Sequence, residues 1–320
     1  MRAPEFWTRD GALPRLLSPL AALWAWQSAR RLATAEPFRA AVPVVCVGNV
    51  VAGGAGKTPT VLALVRWFAA RGRAVHVLTR GHGGTEVGPR QVDPVRHNAG
   101  RVGDEALLLA QAAPTWVARW RPDGAVAATA MGAELLIMDD GFQNPGLAKD
   151  LSLVVVDGGY GFGNGRVMPA GPCREPVDRA LARADAAVLI GEDRTGAAGR
   201  LVGLPLLRAR LVPGPEAAGF AGRRVVAFAG IGRPEKFFTT LRAVGADLVD
   251  AVAFADHHPY TAAEIASLAE RAQAAGALLA TTAKDAVRVP EVLRPGLAVL
   301  TVTLEWDDPA TLGRLLERVG

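Results

Sequence analysis

The residues that most constrain this chain are 42–60. An apolar, mostly β-branched run, VPVVCVG at 42–48, leads directly into GNVVAGGAGKTPT at 48–60. A strand that ends in a glycine-rich turn and continues as a helix with Lys-Thr in its first turn makes a cradle for phosphates. Gly53, Gly54 and Gly56 tolerate positive φ and let backbone approach a ligand closely. Their N–H groups, with that of Ala55 and the helix N-terminus behind them, suit phosphate oxygens. Lys57 reaches the β- and γ-phosphates and Thr58 places its hydroxyl on Mg²⁺. Pro59 fits the first helical turn, where its missing N–H would be unpaired anyway. One position departs from the common pattern: Val51 stands five residues before Gly-Lys, where glycine is usual. A plain glycine-rich turn is the alternative. The strand before, the helix after and Lys-Thr in register favour the phosphate loop, and with it a nucleotide.

The rest of the chain repeats the strand-then-helix rhythm. Residues 74–79, 133–138, 151–156 and 185–190 are continuous apolar runs of strand length, and 59–71 and 104–113 have helical patterning. Strands of this kind alternating with helices predict a parallel sheet covered on both faces. Residues 191–220 are rich in Gly, Pro and Arg and read as a boundary. Beyond them, strands at 224–229, 248–254, 277–282 and 297–303 alternate with helices at 234–244, 261–275 and 308–318. At 320 residues the chain has room for about two domains of roughly 150 residues each. The expected division is an N-terminal region 1–35, a nucleotide-binding α/β domain 36–205 and a smaller α/β domain 206–320.

Composition narrows the partners. Half the residues are hydrophobic, so a large core is available. The formal charge of +5 is spread along the chain, which suits an anionic ligand or membrane surface but not a nucleic-acid binder. Cys46 and Cys173 are the only cysteines, too few for a disulfide scaffold or a cysteine-rich zinc site. A reducing compartment is the simple expectation.

A phosphate loop calls for a carboxylate at the end of a neighbouring strand to hold Mg²⁺. AELLIMDD ends in Asp139 and Asp140, and spacing does not choose between them. The Asn/Thr-Lys-x-Asp pattern of a guanine reader is not met at TTAKD, 281–285, so ATP is expected rather than GTP. Phosphoryl transfer to a hydroxyl also needs a proton acceptor and cations. Asp104 and Glu105 begin a helix, where acids are equally at home as caps. Arg174 and Glu175 sit between two prolines, active-site groups or a surface ion pair. His257 and His258 follow Asp256, as a proton carrier, a metal site or incidental loop residues.

No signal peptide is expected at the N-terminus: Glu5 and Asp10 spoil its start, and the apolar run from Leu16 to Ser28 contains Pro19. That run is also short of the roughly 20 residues a membrane span requires. Leu16, Leu20, Leu23, Trp24 and Gln27 share a helical face, with Trp7 and Trp26 nearby and Arg15, Arg30 and Arg31 flanking. This is the composition of a helix lying in a bilayer interface. A helix packed on the protein's own core is the alternative.

Taken in order, VGNVVAGGAGKTP (47–59), TRGHGG (79–84), VGDEALLLA (102–110), DDGFQN (139–144), DGGYGFGNGRVMPAGPCREP (157–176), AFAGIGRPEKFF (227–238), FADHHPY (254–260) and TTAKDAV (281–287) resemble the tetraacyldisaccharide 4′-kinases, the lipid A 4′-kinases of Gram-negative bacteria. The similarity runs along nearly the whole chain, and the family's loop has the same form around Val51. The resemblance implies a P-loop kinase-like parallel sheet sandwiched by helices, a second smaller α/β/α unit, a short β linker between them and an interfacial N-terminal helix. It implies Mg²⁺-dependent transfer from ATP to the 4′-hydroxyl of tetraacyldisaccharide 1-phosphate, giving lipid IVA at the cytoplasmic face of the inner membrane. The expected enzyme is a monomer, peripheral to the membrane.

The resemblance also assigns roles. Lys57 and Thr58 match the phosphate-loop lysine and magnesium threonine. Asp104 matches the catalytic base, and a histidine of the DHH stretch its partner, for which His257 is taken over His258. Asp139 and Asp140 match the magnesium pair, with Glu175 assisting and Arg174 stabilising phosphate charge. Gln143 and Asn49 are expected at the substrate. Two residues depart from the family pattern: Asn144 stands where His is frequent, and His82 where Tyr is usual. The competing expectation is a P-loop ATPase switch acting on a protein partner, but no Cys or His metal motif for such a partner is found. A soluble small-molecule kinase would not need the tryptophan-rich helix.

Overall fold

The computed structural model describes residues 4–319, so residues 1–3 of the expected N-terminal region lie outside it. After a 3₁₀ turn at Glu5–Thr8 come the short α1 (Ala12–Leu16) and the longer α2 (Ser18–Ala33). Then β1 (Val44–Gly48) leads through the glycine-rich loop into α3 (Lys57–Ala69). After β2 (Val75–Thr79) and the two-residue β3 (Arg90–Gln91) come α4 (Ala99–Val102) and α5 (Asp104–Ala110). The strands β4 (Thr115–Val117) and β5 (Leu135–Asp139) flank α6 (Arg121–Ala130). Next are β6 (Leu151–Asp157), α7 (Val177–Leu181), β7 (Ala186–Ile190) and β8 (Leu206–Pro213). The second sheet is built from β9 (Arg224–Ala229), α8 (Pro234–Ala243), β10 (Asp247–Ala253), α9 (Ala262–Ala274), β11 (Leu278–Thr282), α10 (Ala283–Ala286) and β12 (Ala298–Leu300). The described chain closes with β13 (Val302–Trp306) and α11 (Pro309–Leu316).

The large sheet has the order β13-β8-β7-β6-β1-β5-β2-β4-β3, parallel except for its two outermost pairings. Its central strands are buried along their whole length, as a sheet covered on both faces requires. Alternate side chains feed two cores: Val45 and Val47 of β1 face Leu64 and Phe68 of α3, while Val44 and Cys46 face the opposite layer. Because β1 lies between β5 and β6, their C-terminal ends open on one edge. That edge carries the glycine loop, Asp139 and Asp157, the usual place for a ligand in such a sheet.

The small sheet, β10-β9-β11-β12, is parallel throughout. Phe237, Phe238 and Leu241 of α8 cover one face, and Ile265 and Leu268 of α9 the other. The two sheets are tied by β8 and β13, an antiparallel pair through which the chain leaves the large lobe and returns. Helix α11 then packs Leu312, Leu315 and Leu316 into the same core as β1.

Sheet membership therefore crosses the boundary expected at 205/206. Residues 206–213 and 302–319 complete the large sheet and its core, and the small lobe is the stretch between them. Strand β8, which lies between β7 and β13, falls in the stretch read as linker because its exposed Arg208 and Arg210 alternate with the buried Leu207 and Ala209, so it lacks the continuous apolar run of the central strands. The run 297–303, expected as one strand, divides at Thr301, where the chain passes from one sheet to the other.

Candidate active site

The glycine loop follows β1, with Gly53 and Gly56 at φ 106° and 92°. At Gly56 a Cβ would also come within 2.5 Å of Ile190 Cδ1, whose flexible end can shift, so it is the positive φ that calls for glycine. Gly54 is exposed and Ala55 buried, and Lys57, Thr58 and Pro59 form the first turn of α3. Val51 has a structural reason. It forms a β-bridge with Cys173, flanked by Ala52 N–H donating to Pro172 O and Arg174 N–H donating to Val50 O. The loop is thus zipped to the segment carrying Arg174 and Glu175, and position 51 needs an extended residue rather than a glycine.

Lys57 is nearly buried, and its ammonium donates to Asn49 Oδ1 at 3.2 Å and lies 3.5 Å from Asp140 Oδ1. Asp140 has left-handed backbone, φ 49°, which turns its carboxylate back over the loop, where Arg174 meets it at 2.8 Å. Burial alone would raise Asp140, but Lys57 and Arg174 prevail and hold its carboxyl down at about 2. Asp139, at the last position of β5, has no such cations in contact. Burial, with the Glu105 and Asp140 charges, pushes it up to about 7, and its Oδ1 is buried without a hydrogen-bond partner.

Two expected roles do not fit the geometry. Glu175 is not free to hold a metal: Arg183 grips both its oxygens at 2.8 Å, and Gln143 donates to Oε1 at 3.1 Å. Asn49, expected at the substrate, is fully buried and spends its amide on Lys57 and on Gly53 O. Gln143 joins the same brace, donating to Asn49 O and accepting from Arg174. These residues hold the phosphate loop in shape. Asn144, the departure from the usual His, accepts from Gly146 N–H and closes a turn.

On the far side of the edge, Asp104 starts α5. It follows Gly103, whose φ of 88° and 2.4 Å clearance to His82 O exclude a side chain. Asp104 Oδ1 accepts from Glu105 N–H in the first turn, but the N-cap of α5 is Gly103, so Asp104 does not cap the helix. Its Oδ2 lies 2.9 Å from His257 Nδ1, across the gap between lobes. His258 pairs instead with Glu264 at 3.0 Å. Lys284 donates to Glu105 at 3.1 Å and faces His257 Nε2 at 3.4 Å. An ammonium can only donate, so the ring proton belongs on Nδ1, directed at Asp104. Burial would raise Asp104, yet the His257 hydrogen bond with the Lys284 and Arg288 charges holds its carboxyl below the usual range. The His82 ring stands edge-on to His257, centroids 5.6 Å apart, where a Tyr ring is usual. A cavity of about 610 Å³ opens on Asp104, His257 and His82.

The small lobe reaches the phosphate loop as well. Arg233 and Lys236, at the start of α8, both bind Asp157, and Arg233 lies 3.5 Å from Gly54 O. Sequence reasoning assigned no role to Arg233, Lys236, Arg183, Lys284 or Arg288. Each lies in or beside a stretch already singled out, but its partner is more than 75 residues away for Arg233 and Lys284, beyond any local pattern.

A phosphate loop on a parallel sheet, a carboxylate–histidine pair facing it from the lobe boundary and a strand-end aspartate between them define a P-loop kinase. Over residues 13–320 the sequence matches the family described as tetraacyldisaccharide-1-P 4′-kinase, and the chain belongs to that family. It is 64% identical to the tetraacyldisaccharide 4′-kinase of Paramagnetospirillum magneticum, over 100% of this chain and 99% of the relative. It is 58% identical to that of Rhodospirillum centenum, over 99% and 96%. The crystal structure of the apo form of LpxK from Aquifex aeolicus in complex with ATP superposes with a TM-score of 0.77 over 96% of this chain and 99% of that one. At 24% identity this likeness speaks for the fold.

Proposed function

We propose that this kinase transfers the γ-phosphoryl group of ATP to the 4′-hydroxyl of tetraacyldisaccharide 1-phosphate, yielding lipid IVA. The observation that carries the reading is the Asp104–His257 contact across the lobes, on the edge that bears Lys57 and Asp139, whose Oδ1 has no hydrogen-bond partner. The near relatives bear the name of that activity.

The residues divide the work. The loop N–H groups and Lys57 receive the β- and γ-phosphates, Lys57 exchanging Asn49 and Asp140 for phosphate oxygens. Arg174 is 2.8 Å from Asp140 and near enough to the loop to offset charge on the transferred group. Asp104 accepts the proton of the 4′-hydroxyl, and His257 fixes the carboxylate's direction. The donor set fits Mg²⁺: the orphaned Asp139 oxygen and the Thr58 hydroxyl supply hard oxygens. No group of three His, Cys, Asp or Glu side chains converges among the described residues, which leaves the remaining positions to phosphate oxygens and water. Mg²⁺ bound there would neutralise charge on the phosphates during transfer. Asp140, engaged by Lys57 and Arg174, orients those cations.

The acceptor is a lipid, and α2 suits its surface. No helix among the described residues is long and apolar enough to cross a membrane. Only Ala21 of α2 is buried, while its Leu20, Leu23 and Trp26, and Leu16 at the end of α1, are more than half exposed. The tryptophans and Arg30 and Arg31 support a helix resting at the cytoplasmic face of the inner membrane. We take the working enzyme as a monomer.

The test is an assay with γ-labelled ATP, Mg²⁺ and tetraacyldisaccharide 1-phosphate in detergent micelles, with Asp104→Asn alongside. Label in a lipid product, formed roughly 100-fold or more slowly in the variant, is expected. ATP hydrolysis without labelled lipid would reject the lipid kinase in favour of a switch ATPase.

A further inference from the structure

Arg288 lies just beyond α10 with its side chain only 4% exposed, at the boundary between the lobes. Every nitrogen of its guanidinium is engaged. Nε is 3.5 Å from Asp104 Oδ2 and donates to Lys284 O at 3.3 Å. One terminal nitrogen donates to His258 O at 3.4 Å; the other donates to Gly230 O at 2.8 Å and to Asp285. Asp285 is wholly buried and accepts in addition from Gly230 N–H and the Tyr260 hydroxyl, at 2.8 and 2.7 Å, and from Thr282. The Arg288 guanidinium also sits over the Tyr260 ring, 5.6 Å from its centroid.

These partners surround one residue. Gly230 O, which Arg288 holds, also accepts the backbone N–H of His257 at 3.0 Å. His258 O, another of the carbonyls it holds, belongs to the next residue. His257 itself has φ 58°, a left-handed conformation that costs a non-glycine residue about 1–2 kcal/mol and persists only where its surroundings over-determine it. The same guanidinium that clamps this turn reaches the carboxylate to which the His257 ring points.

We infer that Arg288, backed by Asp285, is the positioning residue of the Asp104–His257 pair. It fixes the strained backbone that presents the imidazole and, from the opposite lobe, aims the carboxylate that receives it. The inference rests on the proposed role of Asp104 as base. A planar fork is needed because the acceptors lie in different directions. A lysine ammonium at the same place could keep the charge but could not span Asp104, Gly230 O and His258 O together.

The charged and titratable groups around Asp104 are His257, Lys284 and Arg288 from the small lobe and Glu105 beside it, with Asp256 and His82 close to the His257 ring. Removing Arg288 takes away one of the cations that keep Asp104 ionised, while its burial remains. The acid limb of kcat/KM therefore moves to higher pH in Arg288→Met, and less in Arg288→Lys, which retains the charge.

The experiment measures labelled-lipid formation for the full chain, for Arg288→Lys, Arg288→Met and Asp104→Asn, and for Arg288→Lys combined with Asp104→Asn. ATP affinity and far-ultraviolet circular dichroism are followed in each. Arg288→Lys is expected to lower kcat roughly 100-fold, the scale of a misplaced reacting group, with KM for ATP within about twofold of the parent. In the Asp104→Asn background the same change is expected to cost almost nothing, because the carboxylate it positions is gone. Should Arg288→Met not fold, Arg288→Lys and the double variant still decide the matter. Parent-like kcat in Arg288→Lys would overturn the inference, as would an unmoved acid limb in a folded Arg288→Met or a full additional loss in the double variant. A parent enzyme that labels no lipid would instead overturn the proposed reaction, and the role of Arg288 with it.

Discussion

Lys57 shows how much one side chain carries. Its ammonium is nearly buried, and the polar partners that hold it, Asn49 and Asp140, are those it must leave for phosphate. Lys57→Ala is expected to lower kcat roughly 100-fold or more, the scale of a lost preorganised charge, as measured by lipid phosphorylation at saturating ATP. Asp139 predicts an effect of opposite sign on stability. Its folded value near 7 lies above the ordinary carboxylate range, so the folded state binds the proton more tightly than the unfolded chain. Stability is therefore lost as pH rises through about 7 and regained below it. Asp139→Asn removes the buried charge. In metal-free buffer at pH 8 it is expected to melt at a higher temperature than the parent while losing Mg²⁺-dependent activity. A lower melting temperature at that pH would show that the orphaned oxygen is not a source of strain.

At the level of elements, α2 and the two glycine-rich turns matter most. Helix α2 is bound to the site it overlies: the Trp24 indole N–H donates to Arg174 O at 3.2 Å and Arg31 reaches Gln143 O. Its outward Leu20 and Leu23 are more than half exposed. Leu20→Glu with Leu23→Glu is expected to reduce co-sedimentation with anionic vesicles and leave ATP affinity unchanged. An undiminished bound fraction would exclude this face as the membrane contact. The turn before α5 is governed by Gly103, where a side chain would meet both an unfavourable φ and His82 O. Gly103→Ala is expected to destabilise the fold by more than ~1 kcal/mol, read from chemical denaturation, and to displace Asp104.

Across the whole molecule the lobes meet with complementary charge. Asp104, Glu105 and Asp157 come from the large lobe; His257, Lys284, Arg288, Arg233 and Lys236 come from the small one. Burial would raise Asp157, but Lys236 and Arg233 outweigh it and keep the carboxyl below its usual range. Its contribution is complete above the unfolded value near ~3.9 and is lost as pH falls through the lower folded value. Asp157→Asn removes that contact at neutral pH. Amide hydrogen exchange in β9 and α8 is expected to accelerate, with smaller change in β1 and β6. Equal acceleration in both lobes would mean that Asp157 supports the fold at large rather than the contact between lobes.

Much of this was legible in the chain itself. The phosphate loop, the strand-end carboxylates and the alternation of apolar strands with helices are contiguous in sequence, so local chain order decides them. The amphipathic N-terminal helix was legible for the same reason. Tertiary structure alone decided the rest. It selected His257 over His258 because a left-handed turn at 257 points one ring at Asp104, 153 residues away, and the next at Glu264. It paired Glu175 with Arg183, and it gave β8 and β13 to the large sheet, although the exposed arginines that alternate along β8 resemble linker. It also brought Arg288 to Asp104. Such pairings depend on how two lobes close on each other, and no period or spacing within either lobe encodes that.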